Sequence, residues 1–166
     1  MKLQILDEIG SRRSEVGDQR SEIGSRRSEV RDRKSEIRKK AMQINSAKDL
    51  EVYKKAYQLA MDIFELSKNF PSEEKYALTS QIRRSSRSVA MNLREAWAKR
   101  RYEAHFMSKL TDCDGENSET DTSLDFALNC EYITMTEHQE LTEANHSIGR
   151  MLGSMIGHPE PFLNKP

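Results

Sequence analysis

Residues 49–97 read DLEVYKKAYQLAMDIFELSKNFPSEEKYALTSQIRRSSRSVAMNLREAW, and the punctuation of this stretch decides the fold. Leu50, Tyr53, Tyr57, Ala60 and Phe64 step by three or four residues, the spacing of one helix face, and predict a first helix over about 49–69. Asn69-Phe70-Pro71-Ser72 interrupts it, because proline cannot continue a helix and restrains the residue before it. Ser72 is a candidate N-cap for a second helix over about 73–102, and Glu73 and Glu74 suit the positive end of its dipole. Leu78, Ile82, Val89, Leu93 and Ala96 fall on one side of that helix and predict its buried stripe.

Outward from this pair the chain stays helical. All four prolines are Pro71, Pro159, Pro161 and Pro166, so residues 72–158 contain none. No sustained alternation signals a strand. Phe106, Leu110, Cys113, Leu124, Ala127, Leu128 and Tyr132 keep helical phase, but Asp114-Gly115-Glu116-Asn117-Ser118 interrupts the apolar pattern and reads, taken alone, as a loop. A last helix is expected over about Thr136–Ile156, with Leu141, Ala144, Ile148, Met151, Leu152 and Met155 inward, ended by Gly157, His158 and Pro159.

The N-terminal part has another character. SRRSEVG, DQRSEIG, SRRSEVR and DRKSEIR repeat over residues 11–38, so Ile9, Val16, Ile23, Val30, Ile37 and Ile44 mark one heptad position. A stable coiled coil needs a second apolar position, where this chain places arginine, lysine or glutamine. Glu-to-Arg/Lys pairs four apart favour helix, whereas Gly17 and Gly24 each cost about 1 kcal/mol relative to alanine. The expectation is a marginal helix, disordered early and firmer after Glu29. The organisation predicted is a repeat arm over 1–45, a bundle over 46–158 and a tail over 159–166. The arm reads either as an exposed low-complexity extension or as a basic or weakly oligomerising one.

Over 166 residues, 27 basic and 27 acidic side chains cancel, yet they are segregated. Residues 1–45 carry +4, residues 46–110 carry +5 and residues 111–166 carry −9. Such polarity suits a polyanion at one end and acidic contacts at the other. Hydrophobic residues make up 36% of the chain, below a globular domain's usual share, which places solvated sequence in the arm. No apolar run is long enough for a membrane span and no secretory leader is visible, so the expected setting is cytoplasmic. Cys113 and Cys130 form neither a disulfide framework nor a zinc motif.

Arg83, Arg87, Arg94 and Arg101 fall within about 40° of one another on a helical wheel, flanked by Arg84, Lys99 and Arg100. Arginine at this spacing can meet successive phosphates bidentately, with gain from counterion release. Such contacts fix position on a backbone and read no bases. The competing reading is a solvated helix face paired with Glu95, Glu103 and acids of neighbouring helices. No catalytic constellation, nucleotide loop or cofactor motif is found. Glu143-x-x-His146 is half of a di-iron motif whose other ligands are missing, so no metal is expected.

The stretch from Asp49 to Trp97 resembles the four-helix bundle proteins encoded in intervening sequences of bacterial 23S rRNA genes. These are similar to the accessory variability determinant of diversity-generating retroelements. The likeness spans about 49–160 and is strongest at Phe70-Pro71-x-Glu73-Glu74, Gln81-x-Arg83-Arg84-Ser85 and Asn92-x-x-Glu95. The resemblance implies an up-down-up-down bundle, a homopentamer and, in the retroelement branch, binding of RNA and of a reverse transcriptase. It also implies that residues 114–118 continue the third helix. This chain departs at Ala90, where relatives often place proline, at Trp97, where glycine is common, and at Glu131, where the third helix usually ends in glycine.

The sequence therefore predicts an all-α protein, an antiparallel up-down-up-down four-helix bundle with an N-terminal heptad-repeat extension. Its expected role is non-enzymatic, oligomeric binding of RNA or DNA backbone through Arg83, Arg84, Arg87, Arg94, Lys99, Arg100 and Arg101. The alternative is a structural homo-oligomer or interaction scaffold whose basic and acidic faces pair between subunits.

Overall fold

Four long helices follow one another from residue 51 onward: α1 (Glu51–Leu66), α2 (Leu78–Lys99), α3 (Glu103–Asn129) and α4 (Met135–Gly157). Short 3-10 turns occupy Ala47–Asp49, Ser67–Asn69 and Ser72–Tyr76. The computed structural model describes residues 26–33 and 44–164, and the described residues include no strand. The chain divides into two units, Met1–Gln43 and Ile44–Pro166. In the first, residues 26–33 form an exposed helix; the remaining expectations for the repeat arm lie outside the described residues.

In the second unit each helix packs on its sequence neighbour, and α4 also meets α1. Cross-helix contacts give the directions. Ser85 meets Thr120 at 3.0 Å, Val89 meets Cys113 at 3.6 Å and Glu95 meets Lys109 at 3.1 Å, so numbers rise along α2 as they fall along α3. Asp125 with His138 and Asn117 with Asn145 give the same antiparallel sense for α3 and α4. Arg83 against Ser67, with Arg94 against Ser46 ahead of α1, gives it for α1 and α2. No helix among the described residues is long and apolar enough to cross a membrane.

The core keeps Leu50 and Ala60 of the stripe expected for the first helix and corrects the rest. Val52, Ala56, Leu59, Ala60 and Ile63 face inward, while Tyr57 is 55% exposed and Tyr53 and Phe64 lie at the margin. The two stripes differ by about 100° and share the same three- and four-residue spacing, so periodicity alone does not separate them. A tyrosine carries a hydroxyl that favours a margin over a dry core. On α4 the same ambiguity exchanges Ala144, which is exposed, for Asn145, which is buried. The expected α2 stripe, by contrast, has Ile82, Val89, Leu93 and Ala96 buried and Leu78 half-buried.

The start of α2 also differs from expectation. Ser72 lies within a 3-10 turn and caps nothing; α2 begins at Leu78, after a break at Ala77 (φ −112°, ψ −113°). Glu74 does the satisfying instead. Its carboxylate accepts from the Leu78 amide at 2.9 Å and from the Tyr132 hydroxyl at 3.1 Å, tying the turn to the end of α3. Phe70 packs on the Tyr132 ring, with centroids 5.5 Å apart.

Helix α3 runs without interruption through residues 114–118, as the family likeness implied and the apolar pattern did not. Its stripe is continued by polar residues whose donors find partners across the bundle, while Oδ1 of Asn117 and of Asn145 accept no bond among the described residues. Asn117 and Asn145 each donate a side-chain amide to the other's backbone carbonyl, at 3.3 and 3.0 Å, and Thr120 donates to Ser85 Oγ. Buried polar groups are tolerated where they are hydrogen-bonded. The helix ends in a Schellman arrangement: the Tyr132 amide donates to Ala127 O and the Glu131 amide to Leu128 O. Glu131 takes the left-handed position with φ 61°. That conformation costs a non-glycine residue about 1–2 kcal/mol. Glu131→Gly is therefore expected to stabilise the protein by roughly 1 kcal/mol, read as a higher urea midpoint at unchanged m-value.

Helix α4 starts with a capping box, in which Thr134 Oγ1 accepts from the Glu137 amide and Glu137 accepts from Thr134 N–H. The Thr134 amide and hydroxyl, both donating to the Glu137 carboxylate, hold it below its ordinary value. After α4 the chain turns back: Pro159 is buried, Phe162 stacks on Phe106 at 6.4 Å, and the Asn164 amide reaches Arg100 O at 3.3 Å.

Candidate nucleic-acid interface

The seven basic residues expected to share one surface separate into three groups. Arg83, Arg87 and Arg94 line the seam between α2 and α1. The Arg83 guanidinium carbon sits 4.9 Å from the Phe64 ring centre and that of Arg87 5.3 Å from it. Arg83 Nε donates to Ser67 Oγ at 2.7 Å and Arg94 Nη1 to Ser46 Oγ at 3.2 Å. Aromatic contact and hydroxyl acceptors steady these guanidinium groups without cancelling their charge. Among the described residues, none of the three forms an ion pair with a carboxylate.

Arg84 and Lys99 lie on the opposite flank, toward α3, and are paired. Arg84 meets Glu119 at 3.1 Å, and Glu119 also accepts from Gln81. Lys99 meets Glu95 at 2.6 Å in a chain that continues through Lys109, 3.1 Å from Glu95, to Asp112 at 2.9 Å. Hydrogen bonds from Lys99 and Lys109 hold the Glu95 carboxyl below its ordinary value, and those to Asp112 and Glu95 raise the Lys109 ammonium.

Arg100 and Arg101 stand beyond the end of α2, which corrects the expectation that the arginine row continues along the helix to Arg101. Arg100 folds onto Trp97, 4.0 Å from the ring centre, and donates to Trp97 O at 2.6 Å. Arg101 lies over Tyr102 at 5.8 Å. The coherent basic row is thus Arg83, Arg87 and Arg94, spanning about 16 Å of helix. Sequence reading missed its other wall, formed by Phe64, Ser67 and Ser46. The signal present was the Tyr53–Tyr57–Phe64 stripe, which looked like core.

Other reactive groups are set apart. His138 meets Asp125 at 2.8 Å and His146 meets Asp121 at 3.3 Å across the α3–α4 interface. Among the described residues, no group of three or more His, Cys, Asp or Glu is arranged to hold a metal ion. Cys113 is fully buried, its thiol donating to Val89 O at 3.6 Å, and burial pushes its pKa up to about 12. Because the thiolate is the reactive form, Cys113 is expected to resist Ellman's reagent at neutral pH while exposed Cys130 reacts. One thiol should titrate in native protein and both in denaturant.

Comparison with known proteins agrees with this architecture. Residues 48–154 match the profile of the 23S rRNA-intervening sequence protein family. A crystal structure of a protein of unknown function from the S23 ribosomal protein family of Bacteroides thetaiotaomicron is similar at 31% identity and a TM-score of 0.59. The match covers 64% of this chain and 95% of that one. No curated protein matches. With the profile spanning well over half of its length, the chain belongs to the 23S rRNA-intervening sequence protein family.

Proposed function

We propose that this protein is a non-enzymatic, oligomeric helical bundle that binds the backbone of RNA or DNA along the α1–α2 seam. The observation that carries the reading is the contrast between the two flanks of α2. Toward α3, Arg84 and Lys99 are paired with Glu119 and Glu95. Toward α1, Arg83, Arg87 and Arg94 meet rings and hydroxyls but, among the described residues, no carboxylate. Arginines in a row with no carboxylate partner among the described residues are suited to phosphates, which offer the acceptors their forks require.

The test is a salt titration of binding to labelled RNA and DNA. Each phosphate contacted contributes about −0.7 (single strand) to −0.9 (B-form duplex) to the slope of log K against log salt. Three arginines therefore predict a slope of about −2 or steeper; binding insensitive to salt would sink the reading. Within this proposal the protein serves a larger nucleic-acid machinery, a reverse transcriptase in the retroelement branch of its relatives. A reverse-transcriptase gene beside a variable repeat would support that partner, and a split 23S rRNA gene would point to ribosomal RNA. A structural homo-oligomer is the second reading, favoured by the exposure of Met91 (70%) and Phe126 (58%).

A further inference from the structure

The seam carries more than charge. Tyr53 and Tyr57 continue the line of Phe64 along α1, their rings stacked with centroids 6.3 Å apart and planes 22° from parallel. Tyr57 keeps 55% of its surface exposed. Because α1 and α2 run antiparallel, Phe64 lies beside Arg83 and Arg87, and the tyrosine pair lies toward the Arg94 end. One wall of the seam is aromatic and the other cationic.

We infer that the seam takes single-stranded nucleic acid, with bases stacking on the Tyr57 end of the aromatic row and phosphates following Arg83, Arg87 and Arg94. The inference rests on the basic-seam reading above and narrows its ligand. A duplex turns its phosphates outward and buries its base faces, so an exposed ring pair gains nothing from it. A single strand offers both, and the pairing of a basic track with stacking rings is how proteins hold such strands without reading sequence. The row of arginines matches the axial length of about five nucleotides of a stacked strand, at about 3.4 Å of rise each, fewer if the strand is drawn out. Arg83 and Arg87 already lie against Phe64, and such guanidinium planes stack on unpaired bases as well. Charge complementarity thus selects a polyanion, and the rings select one with open bases.

The experiment uses the full chain and measures fluorescence anisotropy of a labelled oligouridylate, a labelled oligoadenylate and a labelled blunt RNA duplex. Single strands should bind at least about tenfold more tightly than the duplex. Tyr57→Ala should weaken single-strand binding by roughly 5- to 150-fold, the range that one base stacked on an aromatic ring is worth. It should leave duplex binding unchanged, and Tyr57→Phe should restore the loss. Because Tyr57 is more than half exposed, the alanine variant is expected to keep its circular dichroism spectrum. Equal affinity for duplex and single strand, or no effect of Tyr57→Ala, overturns the inference while leaving the basic seam standing. Binding to neither overturns the basic-seam reading itself. If Tyr57→Ala changes the mass seen by light scattering and not the affinity, the ring serves a second copy of the chain and the inference fails.

Discussion

A triple Arg83→Ala, Arg87→Ala, Arg94→Ala variant is expected to lose at least about 100-fold in affinity for nucleic acid, or about 2.7 kcal/mol. Its salt slope should fall by roughly 2–3 as three phosphate contacts disappear. The loss should be similar across sequences, since the arginines address backbone rather than bases. A control with Arg84→Ala and Lys99→Ala removes two cations of the same helix, both already paired, with Glu119 and Glu95. It should cost much less. Arg83 and Arg87 also pack on Phe64, so a second triple variant with lysine separates charge from packing. Lysine keeps the salt slope but loses the planar fork, and intermediate affinity is expected. If the alanine variant binds as the parent does, the seam is not the interface. If it instead falls to monomers in light scattering, these arginines serve subunit contacts and the structural reading prevails.

Phe106→Ala is expected to be the most damaging of the stability changes, at about 3–5 kcal/mol. Phe106 is 1% exposed and sits near the start of α3, where a truncated ring leaves a cavity that rigid neighbouring helices fill poorly. Its partner Phe162 belongs to the returning C-terminal segment, stacked at 6.4 Å with planes 25° apart. Against a typical total of about 5–15 kcal/mol, the loss should bring a large drop in urea midpoint. It should also release residues 159–164 to proteolysis. A double-mutant cycle with Phe162→Ala should return a coupling of about 0.5–1.5 kcal/mol, the usual worth of an aromatic pair beyond its buried area. A loss below about 1.5 kcal/mol, with the segment still protected, would mean that the ring contributes little packing.

The arginine row illustrates how far a sequence carries a site. Spacing put Arg83, Arg87 and Arg94 on one edge of a helix, because 3.6 residues per turn is a property of the backbone alone. The Glu95–Lys99 pair, four residues apart on one helix, was equally local, but spacing could not say that Arg84 would be paired, because Glu119 is 35 residues away in sequence and reaches it only across the α2–α3 interface. Nor could it say that α2 would end at Lys99 and leave Arg101 outside the row. A wheel continues indefinitely, whereas a helix stops where packing and capping end it.

The same division holds for the fold. The helix-breaking Phe70-Pro71 step, the proline-free run to residue 158 and the apolar spacing of α2 are local, and the helical class followed from them. The charge polarity was equally legible, since it is a matter of composition. Two things were decided only in three dimensions. One is which of two equally periodic faces of α1 is buried: Val52, Ala56, Leu59 and Ile63 turn inward and Tyr57 stays exposed, because the spacing along one helix does not say where its neighbours lie. The other is that Asn117 and Thr120 face the core from within α3, where the apolar pattern by itself broke off over residues 114–118 and only the family likeness carried the helix through. A buried amide or hydroxyl is costly until it has a partner. Those partners, Asn145 and Ser85, exist only once the helices have come together.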